Sequence, residues 1–236
     1  ISVSRVRDSF KTPFDAAKWA PLKAQERGIT TADILQEWED KKNAATARGN
    51  LVHDYIGDVL TAAYTPDFQG VLAFEPELPE QRAWRDWYQR STGTVAPLIK
   101  PYALAVEVII GDRELGLDGT VDAVFTDTDG TILQLWDWKT GSKFETMSKW
   151  SRYLLPPFNY LDECELSTYT LQVALYSLIL RRAGIKIEEA NILHLGKQGV
   201  SGTFRRHRVG GTDFEEIVTI LERHLLERQA KGLPIV

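Results

Sequence analysis

The sequence predicts an α/β (α+β) fold, a central mixed β-sheet flanked by helices, on three observations. Apolar residues recur at helical spacing through Leu51, Val52, Tyr55, Ile56, Val59 and Leu60. From residue 102 the texture turns to short apolar strands broken by turn residues. A continuous apolar helix over 167–182 then separates those strands from two more, the order that places helices outside a mixed sheet.

The elements follow in order. Thr30 and Asp33 form a capping pair for a helix running to about residue 47, Arg48-Gly49-Asn50 breaks it, and a second helix starts near Asn50. That second helix sets His53 at the edge of its apolar stripe, with Gly57 one turn on leaving open space beside the imidazole. Between 63 and 100, with Pro66, Pro76 and Pro79, a loop precedes a short helix around Trp84 and Trp87. Strands over 102–110, 120–125 and 132–139 form an antiparallel meander, the last two joined through Thr126-Asp127-Thr128-Asp129-Gly130-Thr131. Further strands are expected at 191–195 and 203–209, and Thr212 with Glu215 caps a C-terminal helix. The whole, 1–236, reads as one domain, with a helical portion over about 1–100 and a sheet core over about 101–210.

Composition narrows the function classes. With 43% hydrophobic residues in 236 the chain can bury a sizeable core. Its one cysteine, Cys164, excludes an internal disulfide framework, a four-cysteine zinc site and a cluster held by several of its own cysteines, so a metal must be held by oxygen and histidine. The apolar stretches 102–110 and 171–180 are too short to cross a bilayer and no charged-then-apolar segment opens the chain, so a soluble, cytoplasmic protein without a membrane partner is expected. A net charge of -5 weighs against a nucleic-acid partner, although carboxylates spent on a metal site count toward that sum.

The chemistry concentrates on the second and third strands. With Asp129-Gly130 as the hairpin turn, residues whose numbers sum to 259 face each other, and Asp122 stands opposite Asp137. Alternation along a strand puts Lys139 on the same face. Two carboxylates facing each other across a sheet repel unless something neutralises them, and a divalent cation does so. Oxygen ligands suit magnesium or manganese, which complete their shells with water and substrate phosphate. Lys139 can then orient or help deprotonate an attacking water and stabilise charge on the phosphorane oxygens. Taken alone, an Asp-x-Lys triplet more often marks a solvated strand end, and a lone helical histidine is more often structural than a ligand.

The surrounding motifs carry more. Gly116-Leu117-Asp118-Gly119-Thr120-Val121-Asp122 followed by Leu135-Trp136-Asp137-Trp138-Lys139-Thr140-Gly141 resembles the PD-(D/E)XK nuclease superfamily, specifically its RecB-like exonuclease branch. Upstream, Arg48-Gly49-Asn50-Leu51-Val52-His53 is similar to the family's Gly-x-x-x-His helix start, and downstream Gln172 and Tyr176 match its Gln-x-x-x-Tyr helix. The resemblance spans about 48–195 and rests on four motifs in order. It implies a restriction-endonuclease-like core, metal held by His53, Asp122, Asp137 and the Trp138 backbone carbonyl, catalysis aided by Lys139, and Gln172 and Tyr176 near the substrate backbone and active site. It further implies a Mg2+- or Mn2+-dependent DNA exonuclease of replication, recombination or repair, acting on single strands or duplex ends and open to a replication or recombination protein partner. A flap or structure-specific endonuclease with the same core is the alternative reaction, and a catalytically decayed DNA-binding module the alternative class.

Two departures qualify the match. Many relatives place a glutamate one turn after the histidine, where this chain has Gly57. Glu107, acidic inside an apolar strand, is a candidate replacement, and an outward-facing strand residue is the other reading of it. The lack of four cysteines points to the cluster-free phage, viral or mitochondrial relatives. Asp118 is a rival for Asp122 if no bulge intervenes at Gly119. Candidate nucleic-acid contacts are Lys143, Lys149, Trp150, Arg152 and Tyr153, basic and aromatic residues interleaved after the catalytic strand, with the 82–90 run and Arg205, Arg206 and Arg208 as further basic segments.

Overall fold

In a computed structural model, residues 1–62, 75–93, 97–100, 103–198 and 201–235 are described. The elements are α1 (Val3–Asp8), α2 (Ala16–Arg27), α3 (Thr31–Ala62), α4 (Pro79–Thr92), β1 (Ala105–Asp112), β2 (Leu117–Thr126), β3 (Leu133–Thr140), α5 (Glu165–Arg182), β4 (Glu189–Gln198), β5 (Ser201–Gly210) and α6 (Thr212–Ala230). The five strands form one sheet in sequence order. Only β3 and β4 run parallel, and α5 supplies the crossover that a parallel pair requires.

The sheet is covered on both faces, which explains why its central strands bury apolar residues on both sides. On one face Val121, Leu135 and Ile192 pack under α1, α5 and α6 through Val3, Val6, Leu171, Leu175 and Leu221. On the other, Ala123, Phe125, Trp136, Trp138 and Leu193 pack under α3 and α4 through Val52, Ile56, Leu60, Trp84 and Trp87. Trp87 meets Trp136 with ring centroids 4.6 Å apart. The predicted mixed sheet between helices is the observed architecture. No helix among the described residues is long and apolar enough to cross a membrane.

Several expectations change in detail. The break at Arg48-Gly49-Asn50 does not occur: α3 is one 32-residue helix, opened by the expected Thr30–Asp33 pair. Gly49 serves close approach instead, since a Cβ there would stand 3.4 Å from Thr140 Oγ1, and Arg48 makes two hydrogen bonds to the buried Glu80. Thr212 does not cap α6, because it is already helical; Gly211 precedes it with φ 79°. Helices α1 and α2 lie within the portion over about 1–100 expected to be helical, in which the sequence sets no separate elements before residue 30. The predicted loop over 63–74 lies outside the described residues.

The hairpin turn also differs. Gly130 donates to the Asp127 carbonyl at 3.1 Å, and the Asp127 carboxylate accepts from the Thr131 and Ile132 N–H groups, so Thr128 and Asp129 are the central residues and Gly130 follows with φ 79°. The register survives: Ala123↔Trp136 through Thr126↔Leu133 all sum to 259. Pairing stops at Ala123, one step short of Asp122.

Candidate metal centre

Glu107, Asp122 and Asp137 stand at one level of three adjacent strands. Glu107 falls between the pairs Val106↔Ala123 and Val108↔Val121, hence opposite Asp122, and Asp122 falls one step beyond Ala123↔Trp136, hence opposite Asp137. At this level the alternation of β1 and β2 breaks. Val106 and Ala123 join the core under α3 and α4, whereas Val108 and Val121, two residues away, join the core under α5. Regular strands would keep Val106 and Val108 on one face, and likewise Val121 and Ala123. The two acidic residues sit where the strands switch faces, and Glu107 is held at φ 46°, a left-handed conformation that a non-glycine residue adopts at a cost of about 1–3 kcal/mol. Asp118, the rival aspartate, lies apart, exposed and paired with the N-terminal amine at 3.3 Å.

The lost ladder contact is made good by a side chain. Asp122 Oδ2 accepts the Trp138 N–H at 2.6 Å, which leaves Oδ1 facing His53 Nδ1 at 3.5 Å. Glu107 Oε1 faces the same nitrogen at 3.6 Å. His53 Nε2 lies 3.2 Å from the Trp138 carbonyl oxygen, which can only accept, so Nε2 carries hydrogen and the neutral ring points its Nδ1 lone pair at the carboxylates. The Trp138 carbonyl, expected as a metal oxygen, is thus engaged by the histidine. Among the described residues His53, Glu107 and Asp122 form a group whose ligand atoms all lie within 4.8 Å of one another.

Gly57 and Glu107 fit together. A Cβ on Gly57 would stand 3.5 Å from Glu107 Cγ, so the space expected beside the imidazole is filled by a strand glutamate.

Asp137 belongs to a second, adjoining cluster. Its Oδ2 is 2.7 Å from Lys139 Nζ, and its Oδ1 accepts from Gln172 Nε2 at 3.1 Å. Gln172 also donates to Tyr176 Oη at 3.0 Å and accepts from Arg7 Nη1 at 2.5 Å. Gln172 and Tyr176 are both buried, so they back the Asp137 carboxylate from inside. The Tyr176 ring lies so close over β2 that a Cβ on Gly119 would stand 2.7 Å from it. The Tyr169 ring lies under Lys139 Nζ at 4.9 Å and beside Arg7 at 5.6 Å. Arg7 and Tyr169 escaped the sequence reading. Tyr169 shares the i, i+3, i+7 face of α5 with Gln172 and Tyr176, a detectable signal, whereas nothing in the 3–8 segment singled out Arg7.

Protonation follows from this packing. Burial raises the Asp137 carboxyl to about 6, helped by the neighbouring Asp122 charge and opposed by Lys139. Burial acts to lower Lys139, but Asp137 and Asp122 outweigh it and hold the ammonium charged. Burial likewise acts to lower His53, yet the Asp122 and Glu107 carboxylates raise it to about 10. Asp122 is lowered: burial opposes its ionisation, and His53, Lys139 and the Trp138 N–H prevail. A proton on His53 therefore does here what a cation would do, which is to neutralise facing carboxylates. One imidazole nitrogen and two carboxylate oxygens, with His53 and Glu107 partly open to solvent, form a group that could hold a metal ion.

The remaining forecasts divide. Lys143, Lys149, Trp150, Arg152 and Tyr153 lie on the segment between β3 and α5, outside the cluster; Lys149 pairs with Glu145 and Arg152 with Glu163. Trp84, Trp87 and Tyr88 of the 82–90 run are buried, because they form the core under α4 rather than a surface. Arg206 and Arg208 both pair with the buried Glu189, and the Arg208 side chain stays largely exposed.

No protein-family model and no curated protein matches the chain. Among solved structures it is similar to a protein from Eubacterium rectale described as a "Putative exonuclease", at 15% identity over 98% of this chain and 81% of that one, with a TM-score of 0.39.

Proposed function

We propose that the protein is a Mg2+- or Mn2+-dependent DNA exonuclease that hydrolyses phosphodiester bonds in replication, recombination or repair. The observation that carries this reading is the row Glu107, Asp122 and Asp137 across three strands, faced by His53 and Lys139. Its resemblance to the RecB-like branch of PD-(D/E)XK nucleases, made on ordered motifs, points the same way.

His53, Glu107 and Asp122 would hold the cation, with Asp137 adjoining. When bound, such an ion polarises a phosphoryl oxygen and lowers the pKa of coordinated water. The chain's own residues do the rest. Lys139, charged and 2.7 Å from Asp137, faces negative charge as it builds on the phosphorane oxygens. Gln172, held between Arg7 and Tyr176, fixes the Asp137 carboxylate. The Trp138 carbonyl fixes the His53 tautomer. The missing glutamate at Gly57 would favour the decayed module, and Glu107, whose Cγ lies beside that glycine, supports the hydrolytic reading by offering a carboxylate in its place.

The test is incubation of end-labelled single- and double-stranded DNA with magnesium, manganese or a chelator, beside Asp137→Ala and a circular strand. Release of mononucleotides or short oligomers that needs metal, vanishes in the variant and spares circles is expected. Cutting of circles would replace this reading with the endonuclease, and binding without cleavage in either metal with the decayed module.

A further inference from the structure

Phe14, Trp19, Trp38 and Trp150 line a groove of about 520 Å3 with Lys23 and Arg152. Helix α2 with the residue Phe14 before it, the first half of α3 and the segment after β3 contribute to it. Trp150 is 78% exposed and Phe14 67%, large apolar areas to leave in water. The backbone that carries Trp150 and Arg152 is nonetheless held in place. Arg152 N–H donates to Ser148 Oγ at 3.0 Å, Ser148 N–H to Asp162 at 3.0 Å, and Glu163 N–H to the Arg152 carbonyl at 2.8 Å. Ser151, between Trp150 and Arg152, is held at φ 51°. Glu107 and Ser151 are the two non-glycine residues with positive φ among the described residues, and such strain gathers where function requires it.

A chain of side-chain contacts runs from the groove toward the Asp137 cluster. Lys139 contacts Tyr169, which with Arg7, Lys11, Glu163 and Thr168 lines a smaller pocket. Glu163 pairs with Arg152, which belongs to the groove. Lys23 pairs with the exposed Glu26, and Arg152, about half-exposed, stands 3.7 Å from Glu163, so both cations present open faces to phosphates. Exposed aromatic faces beside cations suit unpaired bases on a phosphate backbone.

We infer that this groove binds the bases of a single-stranded nucleic acid several nucleotides from the bond being cut. The inference rests on the nuclease reading for the strand's other end. Binding of fluorescent single strands of about 4 and about 12 nucleotides, measured in chelator, separates the two claims. Trp150→Ala and Trp19→Ala should lower the ratio of long- to short-strand affinity about 5- to 100-fold, the effect of one lost base stack. Trp150→Phe should keep most of that ratio, and Leu226→Ala, exposed on α6, all of it. An unchanged ratio in both tryptophan variants overturns the groove, even if the wild type cuts DNA. A tryptophan-dependent ratio in a wild type that cuts nothing in either metal upholds the groove and removes the hydrolytic reading instead.

Discussion

Asp122 does the work of a strand residue with its side chain: its Oδ2 accepts the Trp138 N–H at 2.6 Å where the β2–β3 ladder stops. The carboxylate thus serves the fold and the candidate metal centre through different oxygens. Asp122→Asn keeps an acceptor for Trp138 but removes the charge facing His53. It should unfold within a few degrees of wild type and lose about 10²-fold or more in metal-dependent cleavage. Asp122→Ala also orphans a buried N–H and should cost about 1–3 kcal/mol in addition. Thermal unfolding and cleavage rates for the pair separate the two roles, and equal stability of both variants would sink this division.

Glu107 and Gly57 offer an exchange. Glu107→Ala should weaken metal binding at least about tenfold, the lower end of what outer-shell losses cost. Gly57→Glu alone crowds a second carboxylate against the first, whose Cγ lies 3.5 Å from the position of the new Cβ. Combined with Glu107→Ala it puts the carboxylate on the helix, one turn after His53, and should recover part of the lost affinity. Calorimetric titration with manganese reads this directly; a double variant weaker than Glu107→Ala would show that the strand position cannot be replaced.

Arg7 reaches the Asp137 carboxylate through Gln172. Arg7→Ala frees the Gln172 amide to turn and should lower kcat about 10–100-fold with KM within a few-fold of wild type. Gln172→Glu, an acid placed 3.1 Å from Asp137 Oδ1, should be worse than Gln172→Ala, because like charges then meet in a buried site. Steady-state kinetics on both sets checks the order; a rise in KM alone for Arg7→Ala would place that residue on the substrate.

The register that brings the aspartates level was legible because Asp-Gly and the two alternating strands fix it locally, and it held although the turn closed one step earlier. The face switch at Glu107 and Asp122 was not legible, since it depends on helices from both sides claiming successive residues. The same holds for Gly49, a breaker by propensity that becomes a contact against Thr140 once α3 packs on the sheet. Tryptophans 84 and 87 looked like binding residues because basic neighbours surround them, and only the position of α4 against β3 shows them to be core. Arg7 lay beyond reach because its partner is 165 residues away.

Away from the site, Asp112 ties the end of β1 to α5. Burial opposes its ionisation, but the Leu115 N–H at 2.9 Å and the Arg182 guanidinium at 2.5 Å outweigh it and hold the carboxyl below its ordinary value of 3.8. A folded-state value below the unfolded one means stability that is present above pH about 4 and lost as pH falls through the folded value. Asp112→Asn should therefore cost about 1–3 kcal/mol at pH 7, where a charged hydrogen bond is left unmade, and the penalty should shrink as pH falls below about 4. Urea unfolding at pH 7 and near pH 3 measures both values. A penalty that is the same at the two pH values would mean that Asp112 acts by shape and not by charge, leaving Arg182 to be held by Glu222 and Glu114.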